Sequence, residues 1–399
     1  MISVEKLVLK AKCSYNRHQI RHLSQSCKHL RNDGVGIVAE TDYIFSVSQL
    51  ARDFVDRIAS SGIPFSLINT SIPFLKKPSI TQKELSHYHS LECRILDQKH
   101  IIHFSTIRTG TEKRFCNATT PFWEFQSGME EYRPGIFKGT DVVIAYSDFL
   151  KDYFESIVPT GVKVLKFHYP CCPLSLKSFP RDEILQKHGI KPDSFVVFFN
   201  FDFNSCYERK NPEAIIEAFA KAFASNSHET VLVFKTSHAE NHHSERERLQ
   251  ELVRKFGIST KTTFIDSYLA RDEVLALTAS SNAYISLHRG EGLGMGMLEA
   301  LSLGVPVIAT AWGGNTDFIR QDTAFPVPYR LVPAKTNFAA YTHVSEWAEP
   351  DTDAAASFLR QLYEKPEIGK VKSATAATFL NDYFSLGDFK SDLNSFLDI

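Results

Sequence analysis

The sequence has no excess of charge of either sign. It contains 45 Lys and Arg against 46 Asp and Glu among 399 residues, and its formal net charge is −1 at pH 7. Proteins that bind nucleic acid usually carry a basic surplus, because they neutralise phosphates along the backbone. We therefore expect no nucleic-acid partner.

Cysteine is also scarce and unpatterned. The chain has seven cysteines, an odd number, and no two of them form a C-x-x-C pair. Disulfide frameworks use even sets of cysteines, and structural zinc sites use short paired spacings. The sequence therefore predicts no bound metal and a reducing compartment, the cytoplasm.

No long hydrophobic run is uninterrupted. The N-terminus lacks the apolar core of a signal peptide. Residues 292–314 are apolar apart from Glu299 and are long enough to span a bilayer, but glycines and Pro306 divide them. A buried helix followed by a buried strand fits this window better, and we predict a soluble protein.

The first 31 residues are basic, with seven Lys or Arg and one Glu. Their apolar residues Ile20, Leu23, Cys27 and Leu30 fall on one helical face. A basic amphipathic segment of this kind can rest on anionic lipid at the inner face of the membrane. An ordinary helix docked on the protein is the alternative, and both stay open.

Short apolar runs alternate with amphipathic segments along the whole chain. Strands are predicted at 35–40, 63–68, 100–104, 141–146, 162–167, 195–201, 230–235, 262–266, 283–287 and 305–310. Helices are predicted at 46–60, 212–224, 244–256, 271–280, 295–303 and 354–363. Apolar strands separated by helices indicate parallel sheets covered on both faces.

This alternation predicts an α/β fold with two doubly wound domains. We place the first at residues 1–175 and the second at 176–375. Residues 376–399 are expected to form helices that pack back on the first domain. Ligands of such sheets bind at the carboxyl ends of strands where the strand order reverses, and with two domains we expect the site in the cleft between them.

One glycine-rich stretch, "SLHRGEGLGMGMLEALSLGVP" at 286–306, follows a predicted strand and opens a predicted helix. Gly304 is placed to end that helix. Backbone N–H groups and a helix N-terminus at the end of a strand bind anions, above all phosphates. A dinucleotide fingerprint would follow the first strand of its sheet, whereas this loop follows the fourth, so we reject that interpretation.

Two glutamates, Glu291 in the loop and Glu299 in the helix, are the more informative residues of this stretch. Glu299 has mostly apolar neighbours. A buried carboxylate needs hydrogen-bond donors, and the vicinal hydroxyls of a sugar are suitable ones. Alternatively, Glu299 reaches solvent at the polar edge of the helix.

A second candidate anion site follows the strand at 195–201. Arg209 and Lys210 precede a helix for which Asn211 is a good N-cap and Pro212 a good first residue. Two cations and free N–H groups at the end of a strand suit a diphosphate. Two solvated loop charges are the alternative.

These motifs resemble those of the retaining nucleotide-sugar glycosyltransferases of family 4. That family has the GT-B fold, two facing Rossmann-like domains with an interdomain cleft. The resemblance covers about residues 195–360 and is strongest in "RKNPEAIIEAFAKAF" and "SLHRGEGLGMGMLEALSLGVPVIATAWGGNTDFI". The first half resembles the family more weakly, through "FWEF" at 122–125 and residues 141–154. Glu291 and Glu299 match the paired glutamates of the family.

The resemblance implies roles for these residues. Lys210, with Arg209, would contact the donor diphosphate and stabilise the leaving group. Glu291 would hold hydroxyls of the donor sugar, and Glu299 would bind the ribose hydroxyls of the nucleotide. His103 would lie near the donor sugar, although a satisfied core histidine remains the alternative.

Other residues of the glycine-rich stretch would line the same site. The resemblance implies backbone N–H contacts from Gly292, Leu293 and Gly294, and it places His288 beside them. Two positions depart from the family pattern. Ser205 stands where many members have an arginine, and the segment after the first strand, "ETDYIFSV", has no glycine.

The implied function is retaining, metal-independent transfer of a sugar from a nucleoside diphosphate to a glycan acceptor. The nucleotide sugar is a donor substrate, and no cofactor is expected. The acceptor would be a bacterial surface polysaccharide or its lipid-linked precursor. A phosphorylase or epimerase on the same fold, and a non-catalytic sugar-binding homologue, stay open.

Overall fold

The structure is a computed structural model, and it describes residues 15–25, 27, 29–43, 46–70, 80–104, 111–169, 180–224 and 229–399. The chain divides into two compact units. The first comprises Met1–Cys172 together with Tyr383–Ile399, and the second comprises Pro173–Asp382. Cys171 and Cys172, adjacent in the sequence, lie outside the described residues.

The first unit is built on a parallel sheet of six strands. Its strand order is β2-β1-β3-β4-β5-β6, so the order reverses between β1 and β3. The strands are β1 (Arg31–Ala39), β2 (Phe65–Asn69), β3 (Gln98–Phe104), β4 (Cys116–Thr120), β5 (Val142–Ala145) and β6 (Lys163–Lys166). The described helix α1 (residues 15–24) precedes β1, and the described helices between the strands are α2 (Ser46–Ser61), α3 (Gln82–Ser90), α4 (Met129–Tyr132) and α5 (Asp148–Ile157).

The second unit contains another parallel sheet of six strands, in the order β12-β11-β10-β7-β8-β9. Its strands are β7 (Phe195–Asp202), β8 (Thr230–Ser237), β9 (Thr262–Asp266), β10 (Ala283–Ser286), β11 (Val307–Thr310) and β12 (Phe325–Val327). The first strand, β7, pairs with β8 on one side and with β10 on the other. The order therefore reverses between β7 and β10, where ligands of open α/β sheets bind.

Helices cross over between these strands, as parallel pairing requires. The crossover helices are α7 (Tyr207–Lys210), α8 (Pro212–Phe223), α9 (His243–Lys255), α10 (Arg271–Ala279) and α11 (Met295–Ser302). Helix α6 (Arg181–Lys187) precedes β7, and α12 (Thr352–Glu364) and α13 (Pro366–Tyr383) follow β12. An antiparallel hairpin of β13 (Tyr329–Pro333) and β14 (Glu346–Pro350) is inserted between β12 and α12.

The end of α11 matches its prediction. Gly304 has φ +74°, and its N–H donates to Leu301 O at 3.0 Å while the N–H of Val305 donates to Ala300 O at 2.9 Å. This pair of bonds is the Schellman motif, which favours glycine at the left-handed position. The apolar window at 292–314 is thus a helix and a strand, and no helix among the described residues is both long and apolar enough to cross a bilayer.

The C-terminal helix α14 (Leu386–Leu397) packs within the first unit against α2, β1 and β6. Phe389 contacts the ring of Phe54 with ring centroids 5.2 Å apart. Asp392 accepts a hydrogen bond from the backbone N–H of His168 at 2.6 Å. These contacts explain why the chain returns to its first unit after α13.

The basic N-terminal segment uses its apolar face for packing. Ile20 of α1 is fully buried in a cluster with Ile101 and Phe115, and Leu23 and Leu30 pack against the same cluster. The described part of this segment is therefore a docked helix. Residues 1–14 lie outside the described residues, and contact with a membrane stays a prediction.

Candidate functional site

The two candidate segments of the second unit meet where the strand order reverses. Arg209 and Lys210 close α7, the single turn that follows β7, and the glycine-rich loop follows β10. The N–H of Arg289 donates to Arg209 O at 2.8 Å. The side-chain amide of Asn211 donates to Leu287 O at 2.9 Å. These bonds attach the two segments to each other at the carboxyl edge of the sheet.

Asn211 therefore has a different role from the predicted one. It precedes α8 as expected, and Pro212 is the first residue of that helix, but the Asn211 side chain does not cap it. Asn211 has φ +50°, a left-handed conformation that asparagine tolerates, because α7 ends on it. Asn211 is thus at the predicted N-cap position, but its amide bonds to the neighbouring loop instead of to the helix.

Glu291 is the centre of an ion cluster. Lys210 Nζ lies 2.9 Å from both carboxylate oxygens, and Arg209 Nη1 lies 2.9 Å from Oε2. Arg209 Nη1 also donates to Gly290 O at 2.9 Å. The exposed fractions of the side chains are 4% for Arg209, 18% for Lys210 and 14% for Glu291. The three residues named from the sequence are thus brought together.

The electrostatics of this cluster favour the charged carboxylate. Burial raises the pKa of Glu291, but the charges of Lys210 and Arg209 outweigh burial and hold that pKa at about 2. An opposite charge within a few ångströms has this effect because it stabilises the ionised form. Glu291 is therefore an acceptor for hydroxyl groups at neutral pH.

The backbone of Glu291 rests on a second glycine loop, which follows β11. The N–H of Gly314 donates to Glu291 O at 2.7 Å. Gly313 has φ +108°, and a Cβ built there would lie 2.6 Å from the same carbonyl oxygen. Only glycine allows both this conformation and this close approach.

His288 is fully buried behind the loop, with both ring nitrogens engaged. Nε2 lies 3.0 Å from Trp312 O and 3.2 Å from Asn315 Oδ1, while Nδ1 lies 3.0 Å from Ser286 Oγ. Both partners of Nε2 are acceptors, since the Asn315 amide nitrogen donates to Thr310 O. The ring is therefore neutral with its proton on Nε2, and burial lowers its pKa. His288 positions the loop from behind.

The N-terminus of α11 is formed by glycines. Gly294 has φ +94°, and no side chain of the described residues caps the helix. The N–H groups of Met297 and Leu298 both donate to Gly294 O, so those of Met295 and Gly296 are the first-turn groups without an acceptor among the described residues. A Cβ on Gly296 would lie 2.4 Å from the Tyr284 hydroxyl. Gly292 and Leu293 lie in the partly exposed loop before this turn.

Glu299 lies at the start of the second turn of α11 and is also paired. Arg271 Nη1 donates to Glu299 Oε1 at 2.7 Å. Sequence reasoning missed Arg271, which begins α10 and is 28 residues away. A pair between two helices at that separation leaves no periodic signal in the sequence.

The β13–β14 hairpin was also missed, and it borders the site. Arg289 pairs with Glu349 of β14 at 2.8 Å. In the connection between the strands, the Tyr341 ring lies 5.9 Å from the Arg209 guanidinium. Thr336 Oγ1 lies 3.7 Å from the buried Cys206 Sγ. The sequence shows no sign of this hairpin, because its strands are short and β13 is mostly exposed, with no alternation of buried and exposed residues.

His103 belongs to the first unit, at the end of β3. It is fully buried, and its Nε2 lies 3.2 Å from Asn117 Oδ1. Its Nδ1 has no hydrogen-bond partner among the described residues. Burial lowers the pKa of His103 to about 4, so the ring is neutral at physiological pH.

The glycine-free segment after β1 is braced by an arginine. Arg52 of α2 is buried and donates to the carbonyl oxygens of Thr41 and Tyr43 at 2.7 and 2.6 Å. Arginine suits this task because its guanidinium presents several donors in a fixed plane.

Chemically, the site of the second unit combines two cations, free helix N–H groups and two carboxylates. The cations and N–H groups suit phosphate oxygens, and the carboxylates suit hydroxyls. Within the described ranges, no group of three His, Cys, Asp or Glu residues is arranged to hold a metal ion.

Comparisons with known proteins agree with this arrangement. Residues 180–331 match the family model "Glycosyl transferases group 1". The chain is 26% identical over 215 residues to "Putative glycosyltransferase EpsD" of Bacillus subtilis (strain 168). That match spans 54% of this chain and 46% of the relative, so the chain spans about half the length of the curated relative it matches.

Solved structures resemble more than nine-tenths of the chain at low sequence identity. HepE of Anabaena in complex with UDP and glucose aligns with a TM-score of 0.63 and 11% identity, over 92% of this chain and 100% of that one. Sucrose-phosphate synthase of Thermosynechococcus elongatus aligns with a TM-score of 0.62 and 15% identity, over 91% and 98%. Likenesses at this identity establish the fold. The chain has the GT-B fold with two Rossmann-like domains, which confirms the fold class predicted from the sequence.

Proposed function

We propose that the protein is a glycosyltransferase that moves a sugar from a nucleoside diphosphate to a glycan acceptor. The observation that carries the proposal is the cluster of Arg209, Lys210 and Glu291 at the reversal of strand order in the second unit. Residues 180–331, which contain this cluster, match a glycosyltransferase family model. The relatives named above support the same reaction class, since HepE was solved with UDP and glucose.

In the proposed reaction, the bond between the anomeric carbon and the diphosphate oxygen breaks, a bond forms between that carbon and a hydroxyl oxygen of the acceptor, and the hydroxyl proton passes to the leaving diphosphate. Negative charge grows on the leaving diphosphate, and Lys210, Arg209 and the N-terminus of α11 stabilise it. Preorganised groups of this kind act strongly because they need no rearrangement as the charge develops. Removing one such donor typically lowers the rate by about 10²–10³-fold.

The two carboxylates are proposed to bind different hydroxyl groups of the donor. Glu291, next to the cations, would hold hydroxyls of the transferred sugar. Glu299 would hold the ribose hydroxyls of the nucleotide. We further propose that the reaction retains the anomeric configuration and needs no metal, because the two cations supply the charge that a metal would supply. The anomeric configuration of the product by NMR and the rate in EDTA test these two points.

The acceptor is proposed to be a glycan of a bacterial surface polysaccharide or its lipid-linked precursor. This part rests on the family resemblance. Transfer assays with lipid-linked and free oligosaccharides distinguish the two acceptor forms. Dependence on inorganic phosphate would indicate a phosphorylase, and product without acceptor would indicate an epimerase.

The central experiment is a thermal-shift and calorimetry panel of nucleotide sugars. A ligand at 100 times its Kd stabilises the folded state by about 2.7 kcal/mol, which the assay detects readily. Lys210→Ala and Glu299→Ala should each weaken the response of the best ligand. Lys221→Ala, which removes a partly exposed lysine from α8, is the matched control and should leave it unchanged.

The proposal fails if no nucleotide sugar shifts the wild-type protein. The assigned roles fail if both site variants bind the donor with wild-type affinity. A protein that binds donor but neither transfers nor hydrolyses it would be the sugar-binding homologue.

A further inference from the structure

The Glu299 carboxylate is held at one oxygen only. Oε1 accepts from Arg271 at 2.7 Å, whereas Oε2 has no hydrogen-bond partner among the described residues. The side chain is 14% exposed, and its helix neighbours Met297, Leu298 and Ala300 are buried. Glu299 thus presents one free acceptor oxygen from an otherwise apolar part of α11.

Arg271 reaches this carboxylate from a different element. It is the first residue of α10, which follows β9 on the other side of the sheet's strand reversal, and α10 packs against α11. Its side chain is 30% exposed, so the Arg271–Glu299 ion pair lies near the protein surface. The ion pair therefore restricts the rotamer of Glu299, which α11 alone would leave free. Without the pair, Glu299 would lose its rotamer entropy only when a ligand binds, and binding would be weaker.

We propose that Arg271 is a positioning residue that aims Glu299 at the ribose hydroxyls and so makes the site selective for ribonucleotides. This inference rests on the proposed function. A carboxylate can accept about four hydrogen bonds, so occupation of Oε1 by Arg271 leaves room for both ribose hydroxyls.

The test compares ribonucleotide and 2′-deoxyribonucleotide binding by calorimetry. The probes are UDP, GDP and ADP, their 2′-deoxy counterparts, and inorganic pyrophosphate. For the diphosphate that wild type binds best, Arg271→Ala should weaken ribonucleotide binding by about tenfold and reduce the preference over the deoxy form. Arg271→Lys should restore part of that preference. Pyrophosphate has no ribose, so its affinity should stay within about twofold.

A double-mutant cycle separates positioning from direct contact. In a Glu299→Ala background, Arg271→Ala should change ribonucleotide affinity by less than about twofold, because Arg271 acts through Glu299. Arg248→Ala, which removes a surface arginine paired with Glu213, is the control for loss of an arginine and should bind as wild type does. Circular dichroism verifies that each variant is folded.

Three results overturn the inference. The first is an unchanged ribose preference in Arg271→Ala. The second is an equal loss of pyrophosphate affinity, which would make Arg271 a phosphate ligand. The third is a full further loss in the Glu299→Ala background. If wild type binds none of the diphosphates or nucleotide sugars, the proposed function fails instead.

Discussion

Lys210 donates from Nζ to both carboxylate oxygens of Glu291, at 2.9 Å to each. The cation proposed for the diphosphate and the acid proposed for the sugar are therefore bound to each other. A diphosphate that binds Lys210 takes that cation away from Glu291. The charge of the mostly buried Glu291 carboxylate is then less well neutralised. A complete donor repairs this loss, because its sugar hydroxyls donate to Glu291.

Replacing Glu291 should therefore separate nucleotide binding from transfer. In Glu291→Gln, Lys210 and Arg209 lose their carboxylate partner, so we expect a nucleoside diphosphate to bind at least as tightly as in wild type. Transfer should fall by about 10²-fold or more, because the sugar loses a charged acceptor. Calorimetry and initial rates measure the two effects. A parallel loss of diphosphate affinity would contradict the assignment of Glu291 to the sugar.

The same cluster predicts a pH dependence of stability. The folded-state pKa of Glu291 is about 2, below its ordinary value of 4.5. Its contribution is then fully present above pH 4.5 and is lost as the pH falls toward 2, with a total of about 3 kcal/mol. Glu291→Gln should lack this component. The difference in unfolding free energy between wild type and variant should therefore be larger at pH 6 than at pH 3, and an equal difference would argue against the ion cluster.

Gly313 should tolerate no side chain. Alanine there would adopt an unfavourable φ of +108° and would press on the Glu291 carbonyl oxygen. We expect Gly313→Ala to destabilise the protein by about 2–4 kcal/mol and to weaken donor binding. Gly257 is the matched control, since it has φ +68° with open space around it. Gly257→Ala should cost about 1–2 kcal/mol and leave donor affinity unchanged.

His288 should contribute through structure. His288→Leu removes the ring N–H that lies within hydrogen-bond distance of Trp312 O and Asn315 Oδ1, which should cost about 2–4 kcal/mol. Because burial lowers the pKa of His288, the unfolded chain takes up a proton before the folded one does. Wild-type stability should therefore decline as the pH falls below about 6.5, and His288→Leu should flatten that decline. Denaturation curves at pH 7.5 and 5.5 compare them, with exposed His243→Ala as control.

Sequence patterns predicted the longer apolar strands and missed the short strand β12 and the polar strand β4. In β4, "CNATT", burial is compensated by hydrogen bonds: Asn117 donates to Phe115 O, and Thr120 donates to His103 O. A buried polar strand has no hydrophobic pattern in the sequence, since its polar groups are satisfied by hydrogen bonds that form only in the folded protein. The termini of α8 and α11 were predicted well because proline and glycine restrict them locally.

The sequence predicted which residues form the candidate site, from their types and from the order of the strands they follow. It did not predict which of these residues pair with each other. Glu291, Arg209 and Lys210 were named because they follow strands whose carboxyl ends meet. Their mutual ion pairs, and the pair of Arg271 with Glu299, depend on rotamers and helix packing that no local pattern encodes. The roles assigned from the resemblance, including those of His103 and Gly292, stay predictions.

The hydrogen bond from Gly314 N–H to the Glu291 carbonyl makes the loop after β11 a reporter on its neighbour. Gly314 contributes no side chain, yet its amide proton senses any shift of the glutamate backbone. In an NMR titration, that one glycine resonance would register occupancy of the Glu291 loop. The exchange of this amide proton with solvent would measure how stably the two loops stay hydrogen-bonded. Gly314, which has no side chain to react or bind, would thus report on the state of the neighbouring Glu291.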